Sequence, residues 1–173
     1  MPAIGDRAPT FALPDTAGST HEPNAAAATV VVFTCNHCPY ALAWHARIID
    51  VARDYADRGV QVLAVNPNDS ERYPKDSLQV MRSRVEQGDF DGTPYLRDES
   101  QDVARAYDAK TTPDVFVLDS GGLLRYRGAP DSDSDDPSQN AAYLRGALDA
   151  VLDGRAPEPA ETPPVGCSIK WKR

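Results

Sequence analysis

The stretch VVVFTCNHCPYALAWHARI, Val30 to Ile48, decides how this chain is read. Its unbroken β-branched opening predicts a buried strand. The run stops at Cys35 and Cys38, and apolar residues at helical spacing begin at once. Pro39 stands where a first helical turn tolerates proline, since the N–H it lacks has no helical partner there. A C-x-x-C pair at a strand–helix junction meets unpaired helix N–H groups and the macrodipole, and both favour negative charge. That lowers a thiol pKa, and the thiolate is the attacking species. Cys35 is therefore expected to be the exposed, acidic nucleophile. Cys38, one turn further in, is the expected resolving thiol. His37 between them is a candidate pKa-tuning residue, because a charge or hydrogen bond to the thiolate favours the reduced form and makes the pair a stronger oxidant. Two other readings stay open. The thiols could hold a metal, or they could be inert residues of a tight turn. Zinc takes four ligands and there is no second C-x-x-C, whereas copper(I) manages with fewer soft thiolates.

The neighbouring sequence supplies the rest of an α/β order. Gly5 to Asn24 is turn-rich and reads as a short hairpin or irregular arm. The helix runs from Ala41 to Tyr55, and Gly59 closes it. Val60–Val65 is the next strand and ends in the polar stretch Asn66–Asp69. Ser77 to Gln87 reads as a helix, Tyr95–Leu96 as a short strand and Asp102–Tyr107 as a short helix. Val115–Leu118 and Leu123–Tyr126 form a hairpin around Ser120–Gly121–Gly122, and Ala141–Leu152 is the last helix. The first crossover must be right-handed and parallel, and the closing hairpin adds antiparallel strands. The result is a mixed central sheet flanked by helices on both faces. Residues 1–156 form this domain, and residues 157–173 an extended, proline-rich tail carrying Cys167.

Further along, KTTPDVFVLD places Thr112–Pro113 directly ahead of a buried strand. In such an architecture this is where a cis-proline faces the thiols. Thr112 and Pro113 are thus the candidate substrate-binding residues, with Thr112 offering backbone groups to an extended substrate chain. In the tail, PPVGCSIKWKR alternates Ile169 and Trp171 with polar neighbours, as a docked strand would. From Pro157 an extended chain spans roughly 30 Å at about 3.3 Å per residue, enough to bring Cys167 beside the other two cysteines. Cys167 is accordingly a candidate third redox thiol, relaying electrons or pairing transiently with Cys35.

At 173 residues the chain has the length of one domain. The net charge of −8 argues against nucleic acid or an anionic membrane as a partner. An early Asp6 and the lack of a basic segment followed by an apolar one give no sign of a signal peptide, so the expected location is the cytoplasm. Three cysteines, an odd number, favour catalysis or metal binding over a structural disulfide framework. The acidic run from Asp131 lacks the glycine and glutamate of a calcium loop and reads as a solvated loop. Asn66 to Asp69 could wall the site. His45, Trp44 and Trp171 read as packing or anchoring residues.

IGDRAPTFALPDTAG, FTCNHCPYA, NPNDSERYPKDS, TTPDVFVLD and the terminal VGCSIKW together resemble the peroxiredoxin-like branch of the thioredoxin superfamily, within the AhpC/TSA-type group. The resemblance spans nearly the whole chain. It implies a thioredoxin fold, redox-active Cys35 and Cys38, and a cis-Pro113. The expected activity is thiol–disulfide exchange through a mixed disulfide, with a protein or small-molecule disulfide as substrate, a thiol reductant as partner and no organic cofactor. Two motifs of relatives are missing. The hydroxyl that peroxide-reducing members carry three residues before their cysteine is replaced by Val32 before Cys35 and by Cys35 before Cys38. Thr34 stands where thioredoxins usually have tryptophan. Copper or zinc binding, and an atypical thiol peroxidase, are the alternatives.

Overall fold

A computed structural model describes residues 2–24 and 26–173. The N-terminal arm holds a two-rung hairpin, β1 (Leu13–Pro14) and β2 (Thr20–His21). The central sheet is built from β3 (Ala28–Phe33), β4 (Val60–Asn66), β5 (Tyr95–Arg97), β7 (Asp114–Asp119) and β8 (Leu124–Gly128), in the order β5-β4-β3-β7-β8. β3, β4 and β5 run parallel; β7 is antiparallel to β3, and β8 to β7. A separate short pair joins β6 (Thr111–Thr112) to β9 (Cys167–Ser168). The helices are α1 (Pro39–Tyr55), α2 (Leu78–Glu86), α3 (Asp102–Ala106) and α4 (Ala142–Leu152).

β3 lies in the middle and all six of its residues are buried. Alternate side chains of a strand point to opposite faces. Val30 and Val32 accordingly pack with Trp44, Ile48 and Val51 of α1 and Leu144 and Leu148 of α4. Val31 and Phe33 pack the other way, with Ala104, Tyr107, Phe116 and Ile169. Burial on both faces is why β3 shows no polar alternation. The first face is a helical layer. On the second, the short α3 is joined by the N-terminal arm and the C-terminal tail. The tail is thus part of the core layer, since Ile169 is 3 % exposed. Burying such a side chain stabilises by about 1.5–3 kcal/mol.

α1 begins at Pro39, two residues earlier than its apolar periodicity indicates, with Cys38 at its N-cap. It passes into a 3-10 turn at Ala56–Arg58 before Gly59, whose φ of 78° takes the left-handed stop. The acidic loop departs from the solvated expectation at its first residue. Asp131 is buried and accepts from Trp44 Nε1 (2.8 Å), from the Arg47 guanidinium (3.0 Å) and from the Ala141 N–H (3.0 Å). Arg47 also donates to the carbonyls of Asp133, Ser134 and Asp136. The loop is a clamp on α1. Among the described residues no helix is long and apolar enough to cross a membrane.

Candidate active site

The β3–α1 junction, the turn before β7 and the tail converge on three sulfurs. Cys35 follows β3, whose extension is held by Thr34 N–H to the Val65 carbonyl (2.8 Å). Cys38 opens α1 with Pro39 in the first turn. Cys35 is 1 % exposed and Cys38 0 %, so the expectation of an exposed Cys35 is corrected. Thr112 lies against both. Its Oγ1 is 3.3 Å from Cys35 Sγ, and its carbonyl oxygen accepts from Cys38 Sγ at 3.2 Å. Its backbone pairs with Cys167 in the β6–β9 ladder, so this one residue meets all three cysteines. The Thr112–Pro113 bond is cis.

Thr112 does not offer a free edge to a substrate chain, as expected from sequence. It and Pro113 are buried, and the protein's own tail occupies that edge. Gly166 permits this. A Cβ at position 166 would run into the carbonyl oxygen of Thr112. Cys167 is half-buried and packs against the cluster of Cys35, Cys38 and Ala41.

The expected order of acidity is also reversed. The Cys35 pKa is raised, first because its thiol donates to Cys38, then by burial, with the nearby Asp76 carboxylate adding repulsion. The Cys38 pKa is lowered. Cys35 donates to it, and the Cys167 thiol and the N–H groups of Ala41 and Cys167 also face its sulfur, outweighing burial. As a thiol Cys38 can only donate to the Thr112 carbonyl; as a thiolate it gathers these four donors. Cys167 is pushed up to about 11 by burial and by its hydrogen bond to Cys38.

A polar hub that the sequence reading missed holds the Asn36–His37 turn. Asp76 is fully buried and accepts from Asn36 N–H (2.7 Å) and Asn66 Nδ2 (3.1 Å) on one oxygen, and from Asn68 Nδ2 (3.0 Å) on the other. His37 Nδ1 lies 2.6 Å from that second oxygen, and the ring stacks on Tyr73. His37 therefore presents its ring to Asp76, and the Cys35 sulfur meets its backbone N–H. Asn36 Oδ1 accepts from Tyr95 OH (2.7 Å) and Arg84 Nη1 (3.0 Å). The pointer in the sequence was the polar cluster at the carboxyl end of β4, where ligand-facing groups collect in open α/β sheets. Its partners Arg84 and Tyr95 come from elements whose contact only folding reveals.

Cys35, His37 and Asp76 place ligand atoms within 4.8 Å of one another, the one such group of three among the described residues. The fit to a metal is poor. The two oxygens of Asp76 already receive three amide donors besides His37, so an ion would have to displace the imidazole or break that cage.

A buried C-x-x-C at the head of the first helix, facing a cis X–Pro ahead of an antiparallel strand, places the protein in the thioredoxin fold. The chain belongs to the AhpC/TSA family, whose sequence model matches residues 4–127. It is similar to an uncharacterized conserved protein from Geobacillus kaustophilus, at 39 % identity and a TM-score of 0.91, covering 99 % of this chain and 94 % of that one. It is also similar to a hypothetical protein from Sinorhizobium meliloti 1021, at 36 % identity and a TM-score of 0.90, covering 99 % and 96 %. A thiol:disulfide interchange protein of the thioredoxin family from Chlorobium tepidum TLS shares the fold, at 18 % identity and a TM-score of 0.63, covering 90 % and 99 %. No curated protein matches the chain.

Proposed function

We propose that the protein is a thiol–disulfide oxidoreductase. Cys35 and Cys38 are its redox pair, a mixed disulfide with the substrate is the intermediate, and Cys167 is a third redox thiol. The observation that carries this reading is the meeting of all three cysteines at Thr112. A stabilised Cys38 thiolate is a good leaving group when a disulfide is opened and a ready attacker when one is closed. No organic cofactor enters, because sulfur carries the electron pair. The substrate is a protein or small-molecule disulfide or dithiol, and a separate thiol or disulfide of the cell resets the pair.

The test is a redox titration of the full chain in glutathione buffers, with alkylation and mass spectrometry. The expected result is a reversible two-electron couple in which mass spectrometry finds a Cys35–Cys38 disulfide, and that disulfide is absent in Cys35→Ser and in Cys38→Ser. A reduced protein that stays reduced across the accessible range, or turnover that survives both substitutions, overturns the reading. Metal binding is the second reading, with Cys35, His37 and Asp76 as its candidate ligands despite the amide donors already on Asp76. One equivalent of zinc or copper on the purified reduced protein, lost in Cys35→Ser, would put it first.

A further inference from the structure

The site has a difficulty of access. The pair that holds the electrons lies inside, at 1 % and 0 % exposure, while Cys167 is the only cysteine that reaches the surface. The tail that carries it is not a loose cover. Ile169 N–H donates to the Lys110 carbonyl (3.2 Å), and Asp69 N–H to the Lys170 carbonyl (2.8 Å). Lys170 N–H reaches Asn68 Oδ1 (2.9 Å), Lys172 N–H reaches Gln101 Oε1 (2.9 Å), and Arg72 donates to the Trp171 carbonyl (2.7 Å). Arg105 lies over the Trp171 ring. These contacts hold Cys167 beside Cys38, with its thiol and its N–H both facing that sulfur. Cys38 thus stands between an internal partner, Cys35, and an external one, Cys167.

We propose that Cys167 is the sulfur that exchanges with the outside, and that a Cys38–Cys167 disulfide is the form that meets a substrate dithiol. This rests on the thiol–disulfide reading above and specifies where the substrate enters. A substrate thiolate attacks Cys167 Sγ. The Cys38–Cys167 bond breaks, its electron pair leaves on Cys38 as thiolate, and a substrate–Cys167 mixed disulfide forms. The second substrate thiolate attacks the substrate's own sulfur in that bond, and Cys167 departs as thiolate and takes a proton from water. The substrate dithiol has lost two electrons and become a disulfide; the protein disulfide has become two thiols. Reoxidation by a low-molecular-weight disulfide such as oxidised glutathione runs these steps in reverse. Cys167 thiolate opens the glutathione disulfide, and Cys38 thiolate then attacks Cys167 Sγ and expels the second glutathione. With the Cys38–Cys167 bond in place, attack of Cys35 thiolate on Cys38 Sγ moves the disulfide inward and frees Cys167. The leaving group in the first step is the sulfur whose anion gathers the most donors, which is the condition for fast exchange.

The experiment treats the reduced full chain and three variants with oxidised glutathione, quenches with acid and maps the products by mass spectrometry, with circular dichroism to confirm folding. In Cys38→Ser the glutathione adduct is expected on Cys167 and not on Cys35. In Cys35→Ser the expected product is a Cys38–Cys167 disulfide. In Cys167→Ser the rate of exchange with glutathione should fall at least tenfold, although diamide still closes Cys35–Cys38. An adduct on Cys35 in Cys38→Ser, or an unchanged exchange rate in Cys167→Ser, overturns the proposal while leaving the Cys35–Cys38 couple intact. Loss of that couple in the unsubstituted chain is instead the failure of the broader reading.

Discussion

At the scale of single residues, the two cysteines of the motif differ more by environment than by position. Cys38 collects the N–H groups of the helix start and of the tail, whereas Cys35 sits beside the buried Asp76 carboxylate. Thiolate absorbance near 240 nm should therefore persist well below the free-thiol pKa of about 8.5 and vanish in Cys38→Ser. Persistence in Cys38→Ser with loss in Cys35→Ser would reverse the assignment. The linkage follows in sign. A depressed pKa on Cys38 stabilises the reduced fold fully above its unfolded value, and this contribution fades as pH falls towards the folded one. Peroxide chemistry is disfavoured by the same arrangement. Cys35, the sulfur in contact with a hydroxyl, keeps its proton, and that hydroxyl belongs to Thr112. Stopped-flow reaction with hydrogen peroxide should be slow, close to that of an ordinary thiolate. A rate about a thousandfold higher, abolished by Thr112→Val, would show that the Thr112 hydroxyl positions peroxide (1.4 kcal/mol is a tenfold change).

Among the elements, the β3–α1 junction was legible because local rules agree there: an unbroken β-branched run, a proline fit for a first turn, and helical spacing after it. The alternation of Ile169 and Trp171 also pointed to a docked tail; the tail docks, but its strand β9 is Cys167–Ser168, just ahead of those two residues. Its partner was not legible. A two-residue ladder carries no periodicity, and pairing with β6 depends on contacts 55 residues apart in sequence (Thr112↔Cys167). Gly166 makes the pairing sterically possible, and Ile169 anchors it. Gly166→Ala should cost about 1–3 kcal/mol, since the carbonyl it would strike belongs to a backbone that cannot rotate aside. Ile169→Ala should cost about 2–4 kcal/mol through lost burial and the cavity left behind. Urea unfolding gives both values. If the tail covers the Thr112 edge, Gly166→Ala should also raise the alkylation rate of Cys35 and Cys38 in the native protein. A stability loss with no change in alkylation would mean that something else shields the thiols.

For the molecule as a whole, the mixed sheet was readable from the order of elements, but the polar groups buried within it were not. Asp114 shows why. It falls just outside the strand read from the sequence, Val115–Leu118, yet it opens β7 at 1 % exposure, with its carboxylate accepting from the Lys110 N–H at 2.9 Å. Burial pushes its pKa up to about 6, against the pull of that N–H and of Arg127. The folded protein therefore holds the Asp114 proton at pH values where the unfolded chain, with an ordinary carboxyl of about 3.9, has released it. A carboxyl with a raised folded pKa stabilises fully below the unfolded value, and that contribution is lost as pH rises through the folded one. Stability measured against pH should thus carry a downward component between about pH 4 and pH 7 that belongs to this one group. Asp114→Asn removes the proton equilibrium while keeping an acceptor for Lys110. The amide brings a fixed offset of its own, since it cannot accept with both heavy atoms. The offset does not titrate, so the difference between the two curves isolates Asp114. It should move in favour of the asparagine variant by about 2–3 kcal/mol from pH 4 to pH 7, at 1.36 kcal/mol per unit. In a chain of this length that is a relative shift in Tm of roughly 4–12 °C. Parallel curves over that range would show that Asp114 titrates as an ordinary solvated carboxyl, and that the turn beneath the three sulfurs is open to water.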